Sequence, residues 1–118
     1  MIGKTVSDML AALSGGETSE ALVKAHLAQI QEHDAAVGAF LQVDEEGALQ
    51  QAREVDRKRA AGEALGPLAG IPVALKDNIN ADGLHNTCGS KILEAVMAGS
   101  TVLSVSVGVL SLWWDVSD

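Results

Sequence analysis

The chain has 118 residues, of which 47% are apolar and 3% aromatic, and its formal net charge at pH 7 is −8. This length fits one small domain or part of a larger one. The acidic balance disfavours adhesion to nucleic acid or anionic lipid, because phosphate binding depends on clustered cations. The single cysteine, Cys88, excludes an internal disulfide framework, and with three scattered histidines it offers no metal-ligand spacing. We expect a cytoplasmic protein that binds no metal and no cofactor itself.

Apolar spacing and capping residues predict three helices. The first ends at the glycine pair 15–16, the second begins at Thr18 or Ser19 and ends near Asp34, and the third runs from Asp44 to about residue 61. The apolar residues that recur at helical spacing are Val6, Met9, Leu10 and Leu13, then Leu22, Val23, Leu27 and Ile30, then Ala48, Leu49, Ala52 and Val55. The basic residues at 57–59 are interpreted as a solvated helix end, which complements the macrodipole, and not as a binding patch.

Two strands complete the predicted elements, at residues 37–43 and 73–75. The second is a short apolar run that ends in Lys76, and the Asp77-Asn78 pair after it is turn chemistry. The expected fold class is α/β, with amino-terminal helices packed on a partial mixed sheet. A lysine at the point where a strand gives way to a loop stands where open α/β sheets place ligand and catalytic groups.

Lys76 has two interpretations from its residue type alone. A lysine with the ordinary pKa of about 10.4 is protonated at neutral pH, whereas burial in apolar surroundings lowers that pKa. A buried Lys76 would therefore be able to act as a base. The alternative is a strand-end lysine that extends to water or pairs with Asp77.

The sequence context of Lys76 resembles the amidase signature family. Residues 66–79 read Gly-Pro-Leu-Ala-Gly-Ile-Pro-Val-Ala-Leu-Lys-Asp-Asn-Ile, a glycine- and proline-rich strand entry that ends in the Lys-Asp-Asn element of that family. Residues 87–94, Thr-Cys-Gly-Ser-Lys-Ile-Leu-Glu, and residues 17–19, Glu-Thr-Ser, resemble its tRNA-dependent amidotransferase branch. The resemblance covers about residues 5–94 and is more specific than a single glycine motif.

The resemblance implies a site and a reaction. Lys76 would be the general base and charge relay of a Ser-cisSer-Lys triad, with Asp77 and Asn78 as supporting residues. Glutamine would be the substrate of the intact protein, and the ammonia that it releases would amidate Glu-tRNA(Gln) or Asp-tRNA(Asn). Other amidotransferase subunits would be partners, one of them using ATP and Mg²⁺, so that this chain would meet tRNA only indirectly.

The final residues, 95–118, have no counterpart that we can place in the family. The resemblance implies a Gly-Gly-Ser-Ser-Gly-Gly type stretch with both triad serines, and the chain contains none. We therefore expect a family domain over residues 1–94, an apolar tail that results from truncation or a frameshift, no nucleophile and no activity. Part of a stand-alone amidase and a non-catalytic interaction piece are the alternatives. The alternating apolar and small residues of the tail favour a strand over a membrane span.

Overall fold

The computed structural model describes residues 2–77, 79 and 87–93 of the chain. It contains three helices in this order: α1 (Val6–Ser14), α2 (Ser19–Val37) and α3 (Glu45–Ala60). Residues 91–93 are also helical. The three helices predicted from the sequence are therefore confirmed.

Helix α1 ends at the glycine pair that the sequence marks, and it begins at a capping box. The Thr5 hydroxyl accepts a hydrogen bond from the Asp8 N–H at 3.2 Å, and the Asp8 carboxylate accepts one from the Thr5 N–H at 3.0 Å. This reciprocal capping box satisfies two of the N–H groups that a helix start leaves without partners. At the other end Gly15 keeps a right-handed conformation, and the positive φ falls on Gly16 at 109°.

Helix α2 starts at Thr18, whose hydroxyl accepts a hydrogen bond from the Ala21 N–H at 3.1 Å. It extends to Val37, three residues beyond the predicted end at Asp34. Gly38 terminates it with a φ of 66°, in the left-handed conformation that glycine adopts without steric cost, and its N–H donates to the Asp34 carbonyl at 2.7 Å.

The core consists of two clusters that share α2. One joins α2 to α3, and the other joins α2 to α1 and to the loop that follows α3. The first cluster contains Val23, Leu27, Ala48 and Ala52, and the second contains Met9, Leu13, Leu22 and Ile71. Because Leu22 and Val23 are consecutive, α2 presents a buried residue to each cluster and lies at the centre of the packing.

The strand predicted over residues 37–43 does not form, and this prediction is wrong. Val37 is the last residue of α2, and residues 38–44 are irregular. The N–H groups of Ala39 and Phe40 donate to the Asp34 carboxylate at 2.7 and 3.3 Å, so they do not pair with a neighbouring strand. Val37 is 71% exposed and Leu41 60%, and the apolar run therefore contributes little to the core.

The predicted lysine strand is reduced to one bridge residue, Leu75, within the part of the chain that the structure describes. No sheet is present among those residues, so the partial mixed sheet stays a prediction. No helix formed by residues 2–77, 79 and 87–93 is long and apolar enough to cross a membrane. The tail and the proposed boundary at residue 94 lie outside the described residues, as does Asn78.

Candidate functional site

Lys76 lies in a segment without regular secondary structure and is exposed, which differs from the buried position that a strand in an apolar core would give it. Val73 and Ala74 before it are exposed as well. The chain turns directly after the lysine, because the Lys76 carbonyl accepts a hydrogen bond from the Ile79 N–H at 2.9 Å. The predicted turn is therefore present.

Asp77 is the buried member of the predicted site, with 5% of its surface exposed. Its carboxylate accepts three hydrogen bonds from a segment ten and more residues further along the chain. The donors are the N–H of Thr87 at 2.8 Å, the hydroxyl of Thr87 at 2.6 Å and the N–H of Gly89 at 2.7 Å. The Asp77 carbonyl also accepts from the Cys88 N–H at 3.1 Å. Asp77 therefore fixes the 87–89 turn next to the lysine.

These contacts decide the charge of Asp77. Burial by itself raises the pKa of a carboxyl group, because it penalises the charged form. Here the hydrogen bonds from Thr87, Gly89 and Cys88 outweigh burial and hold the pKa of Asp77 below its ordinary value of 3.8. Asp77 is thus a carboxylate at neutral pH and acts only as an acceptor toward the 87–89 turn.

The 87–89 turn has a backbone conformation that few residues adopt. Cys88 has a φ of 47° and Gly89 a φ of 68°, so two consecutive residues are left-handed. For a residue other than glycine this conformation costs free energy and persists only where neighbouring contacts enforce it. The bonds from Thr87, Cys88 and Gly89 to Asp77 are those contacts.

Two side chains that the sequence did not connect to the site bind the loop that leads to Lys76. They are Ser19, the first residue of α2, and Arg59 on α3; Asp56, also on α3, binds Arg59 and the Ser19 N–H and does not touch the loop. The Ser19 hydroxyl donates to the Gly70 carbonyl at 2.9 Å, and Arg59 donates to the Ala69 carbonyl at 3.0 Å. Only the spacing of Asp56 and Arg59, three apart on a helix, hints at their pairing. The contacts of Ser19 and Arg59 with the loop depend on tertiary structure.

The interpretation of residues 57–59 as a solvated helix end is confirmed for Arg57 and incomplete for Arg59. Arg57 pairs on the surface with Glu54 at 2.7 Å and with Glu63 at 3.2 Å. Arg59 has only 30% of its side chain exposed and contacts backbone as well as a carboxylate. The two arginines, on one turn of one helix, therefore have different roles.

An apolar cleft of about 300 Å³ lies between α2 and the chain that leads to Lys76. His26 is on its wall, and its Nδ1 lies 2.8 Å from the Leu22 carbonyl, to which it donates. The ring therefore forms a hydrogen bond within its own helix. His33 is on the exposed side of α2, and His85 lies outside the described residues. In the described part of the chain no three acidic, histidine or cysteine side chains are grouped so as to hold a metal ion.

The helices, the glycine- and proline-rich loop and the Lys76 turn together define an amidase signature protein. The family model for amidases matches residues 21–106, which is most of the chain and includes Lys76 and Asp77. The chain belongs to the amidase signature family.

Within this family the chain is similar to the A subunits of glutamyl-tRNA(Gln) amidotransferases. It is 53% identical over 95 residues to the protein of that name from Streptomyces coelicolor, covering 80% of this chain and 19% of that protein. The corresponding protein from Protochlamydia amoebophila is 47% identical over 81 residues, covering 69% of this chain and 17% of that protein. The chain thus spans about a fifth of the length of these relatives.

Solved structures show the same fold. A bacterial aryl acylamidase of the amidase signature family is 22% identical and superposes with a TM-score of 0.76 over 90% of this chain and 24% of the other. A chain from a vestigial protein complex, described as revealing the origins of an s-triazine catabolic enzyme, is 30% identical. It superposes with a TM-score of 0.70 over 88% of this chain and 26% of the other.

Proposed function

We propose that the chain is the amino-terminal part of the glutamine-hydrolysing subunit of an aminoacyl-tRNA amidotransferase. The observation that carries this proposal is the 53% identity to the Streptomyces coelicolor protein, a glutamyl-tRNA(Gln) amidotransferase component, over 80% of the chain. In the complete protein the ammonia released from glutamine would convert Glu-tRNA(Gln) to Gln-tRNA(Gln), or Asp-tRNA(Asn) to Asn-tRNA(Asn).

Lys76 is the residue of this chain that we assign to the chemistry. As general base and charge relay it would accept the proton that a serine nucleophile loses on attacking the amide carbonyl, through a second serine, and return it to the leaving ammonia. Lys76 is exposed in the described structure. Since the chain spans 19% of the relative's length, we propose that other parts of the complete domain cover it. We assign Asp77 and Asn78 a supporting role beside Lys76; of the two, only Asp77 is among the described residues.

The partners follow from the same proposal. ATP and Mg²⁺ would be used by another subunit, which activates the misacylated tRNA and receives the ammonia. The formal charge of −8 supports an indirect contact with tRNA, because a polyanion is repelled by an acidic surface. We propose a cytoplasmic location, which the single cysteine of the chain supports.

A second candidate is a stand-alone amidase, which would hydrolyse other amides with the same lysine. The superposition on an aryl acylamidase, with a TM-score of 0.76, supports this candidate at the level of the fold alone. In either case we propose that the 118-residue chain is itself inactive, because it supplies no serine pair of the family type. Ammonia release from glutamine by the purified chain, lost in Lys76→Ala, would contradict this.

A graft tests the function directly. The matching segment of this chain replaces its counterpart in the Streptomyces coelicolor protein, and ammonia release from glutamine by this grafted relative is measured. Lys76→Ala and Lys76→Arg should each reduce turnover by at least about a hundredfold, the scale expected for a positioned acid/base group. Arginine keeps the charge but cannot be deprotonated in a protein, so it should not rescue activity.

Lys91→Ala is the matched control, because Lys91 is an exposed lysine of the same grafted segment and it should keep near-normal turnover. Near-normal turnover of Lys76→Arg would instead make Lys76 an electrostatic or structural residue. Activity of the unmodified graft on aryl amides but not on glutamine would favour the stand-alone amidase.

A further inference from the structure

The segment that carries Lys76 is fixed at both of its ends. At the carboxyl end Asp77 is buried and bound to the 87–89 turn. At the amino end Ile71 is 4% exposed and packs in the cluster of α1 and α2. Residues 72–76, between these two points, bury less of their surface and include Lys76. The position of Lys76 therefore depends on how the chain just before Ile71 is held.

A carboxylate of α3 joins the two helices at this place. Asp56 accepts hydrogen bonds from the N–H groups of Ser19 at 2.8 Å and Glu20 at 3.0 Å, which are the first two residues of α2. These N–H groups have no partner within their own helix, and a negative charge at a helix N-terminus is favourable. Asp56 thus fixes the start of α2 against α3 and orients Ser19.

Two donors then hold the loop. The Ser19 side chain is 0% exposed and donates to the Gly70 carbonyl at 2.9 Å. Arg59 donates from Nη2 to the Ala69 carbonyl at 3.0 Å, while its Nη1 lies 3.4 Å from the Asp56 carboxylate. The planar guanidinium of Arg59 therefore contacts both the Asp56 carboxylate, which orients Ser19, and the Ala69 carbonyl. The next carbonyl along the chain, that of Gly70, is the one that Ser19 binds.

The loop approaches these groups closely because residue 70 is a glycine. Gly70 has a φ of 94°, and a Cβ atom there would lie 3.1 Å from the Ser19 hydroxyl and 3.1 Å from a methyl group of Leu13. A larger residue would be strained by its backbone and would push the loop away from both donors.

We propose that Ser19 and Arg59 are positioning residues, which set the point at which the Lys76 segment leaves the helices and so place Lys76 for its reaction. The reaction itself rests on the function proposed above. The placement of the segment does not, because it follows from the contacts of Ala69 and Gly70.

Hydrogen exchange in the full 118-residue chain tests the placement. The Ala69 and Ile71 amides are suitable probes, since each is hydrogen-bonded within the loop, at 3.1 Å. Arg59→Ala should accelerate their exchange on the order of tenfold, the effect of losing one hydrogen bond to a charged group. Arg57→Ala is the matched control on the same turn of α3. Arg57 pairs only with Glu54 and Glu63 in the described contacts, and its loss should change these two amides less than twofold.

The amides of Ala48 and Ala52 in the buried part of α3 report global opening. Global opening also breaks the contacts that the variants remove, so these amides can accelerate as much as the loop amides, and the placement is read from the amide chemical shifts of the native state. Arg59→Ala and Ser19→Ala should each shift the Ala69 and Ile71 signals and leave those of Ala48 and Ala52 in place. Loop signals at their wild-type positions in both variants would mean that the two residues only stabilise the fold, and this would overturn the proposal. Unchanged exchange of the loop amides would overturn it as well.

The grafted relative provides the second readout. Arg59→Ala should lower kcat for ammonia release at least fivefold with the KM for glutamine changed less than twofold, because a displaced base affects turnover and not substrate binding. Normal kcat in Arg59→Ala, with turnover lost in Lys76→Ala, would reject the positioning role and keep the proposed function. Normal kcat in Lys76→Ala would reject the proposed function, while the exchange experiment would still decide how the loop is held.

Discussion

Asp77 shows how one side chain brings together parts of the chain that are distant in sequence. It accepts three hydrogen bonds from residues 87–89 and keeps its charge in a buried position. Because its pKa is lowered by folding, its contribution to stability is complete above the ordinary value of 3.8 and is lost as the pH falls through the lower pKa of the folded state.

We therefore predict that the amide protons of Thr87 and Gly89 titrate together in NMR spectra, with a midpoint below pH 3.8. Protonation of Asp77 weakens the bonds to both, so their signals should move toward the positions of unstructured amides. In Asp77→Asn this transition should be absent, since an amide does not titrate. A midpoint clearly above 3.8 in the wild-type chain would show that Asp77 does not hold the turn as a carboxylate.

At the scale of elements, the end of α2 depends on a glycine in the left-handed conformation. Gly38 has a φ of 66° with no atom within 4 Å of the position a Cβ would occupy, so a side chain there meets backbone strain without a clash. Gly38→Ala should lower the free energy of unfolding by about 1 kcal/mol in urea titrations. Gly38→Asn should lower the free energy of unfolding by less, because asparagine tolerates this conformation better than alanine does. Equal losses for the two variants would indicate a different cause.

The contact of α2 with α3 depends on small residues. Ala48 and Ala52 are both 0% exposed and pack against Val23 and Leu27, which leaves no room for a longer side chain. Ala52→Leu should lower the free energy of unfolding by about 1–3 kcal/mol through overpacking. Ala60→Leu, at the exposed end of the same helix, should have little effect. If Ala52→Leu left the free energy of unfolding unchanged, the two helices would separate easily.

At the scale of the whole molecule, the prediction concerns the tail, whose interpretation rests on sequence alone. Residues 95–118 carry an alternating run of valine with small residues, which favours edge-to-edge strand pairing. Deleting residues 95–118, or placing a charge with Val107→Lys, should increase the soluble fraction in a membrane-free preparation. The control for the added charge is Ala60→Lys, on the exposed end of α3, and not Val55→Lys, because Val55 is half-buried. If the full chain instead partitions into membranes, and deletion of the tail abolishes that partitioning, the strand interpretation is wrong.

The sequence by itself determined the three helices and the turn after Lys76. Their signals are local: apolar residues at helical spacing, Thr18 and Asp44 as caps, and the glycine pair 15–16 after α1. A helix and its caps satisfy their hydrogen bonds within a few residues, so the pattern is complete in one stretch of sequence.

Tertiary structure decided what lies around those elements. A strand needs a partner, and the run at 37–43 finds its hydrogen-bond acceptor in Asp34 instead. The contacts that bury Asp77, and those of Ser19 and Arg59 with the loop, join residues ten or more positions apart in the chain. Lys76 is left exposed. Composition and residue spacing do not predict these individual contacts, because each contact depends on where the packed helices place the backbone.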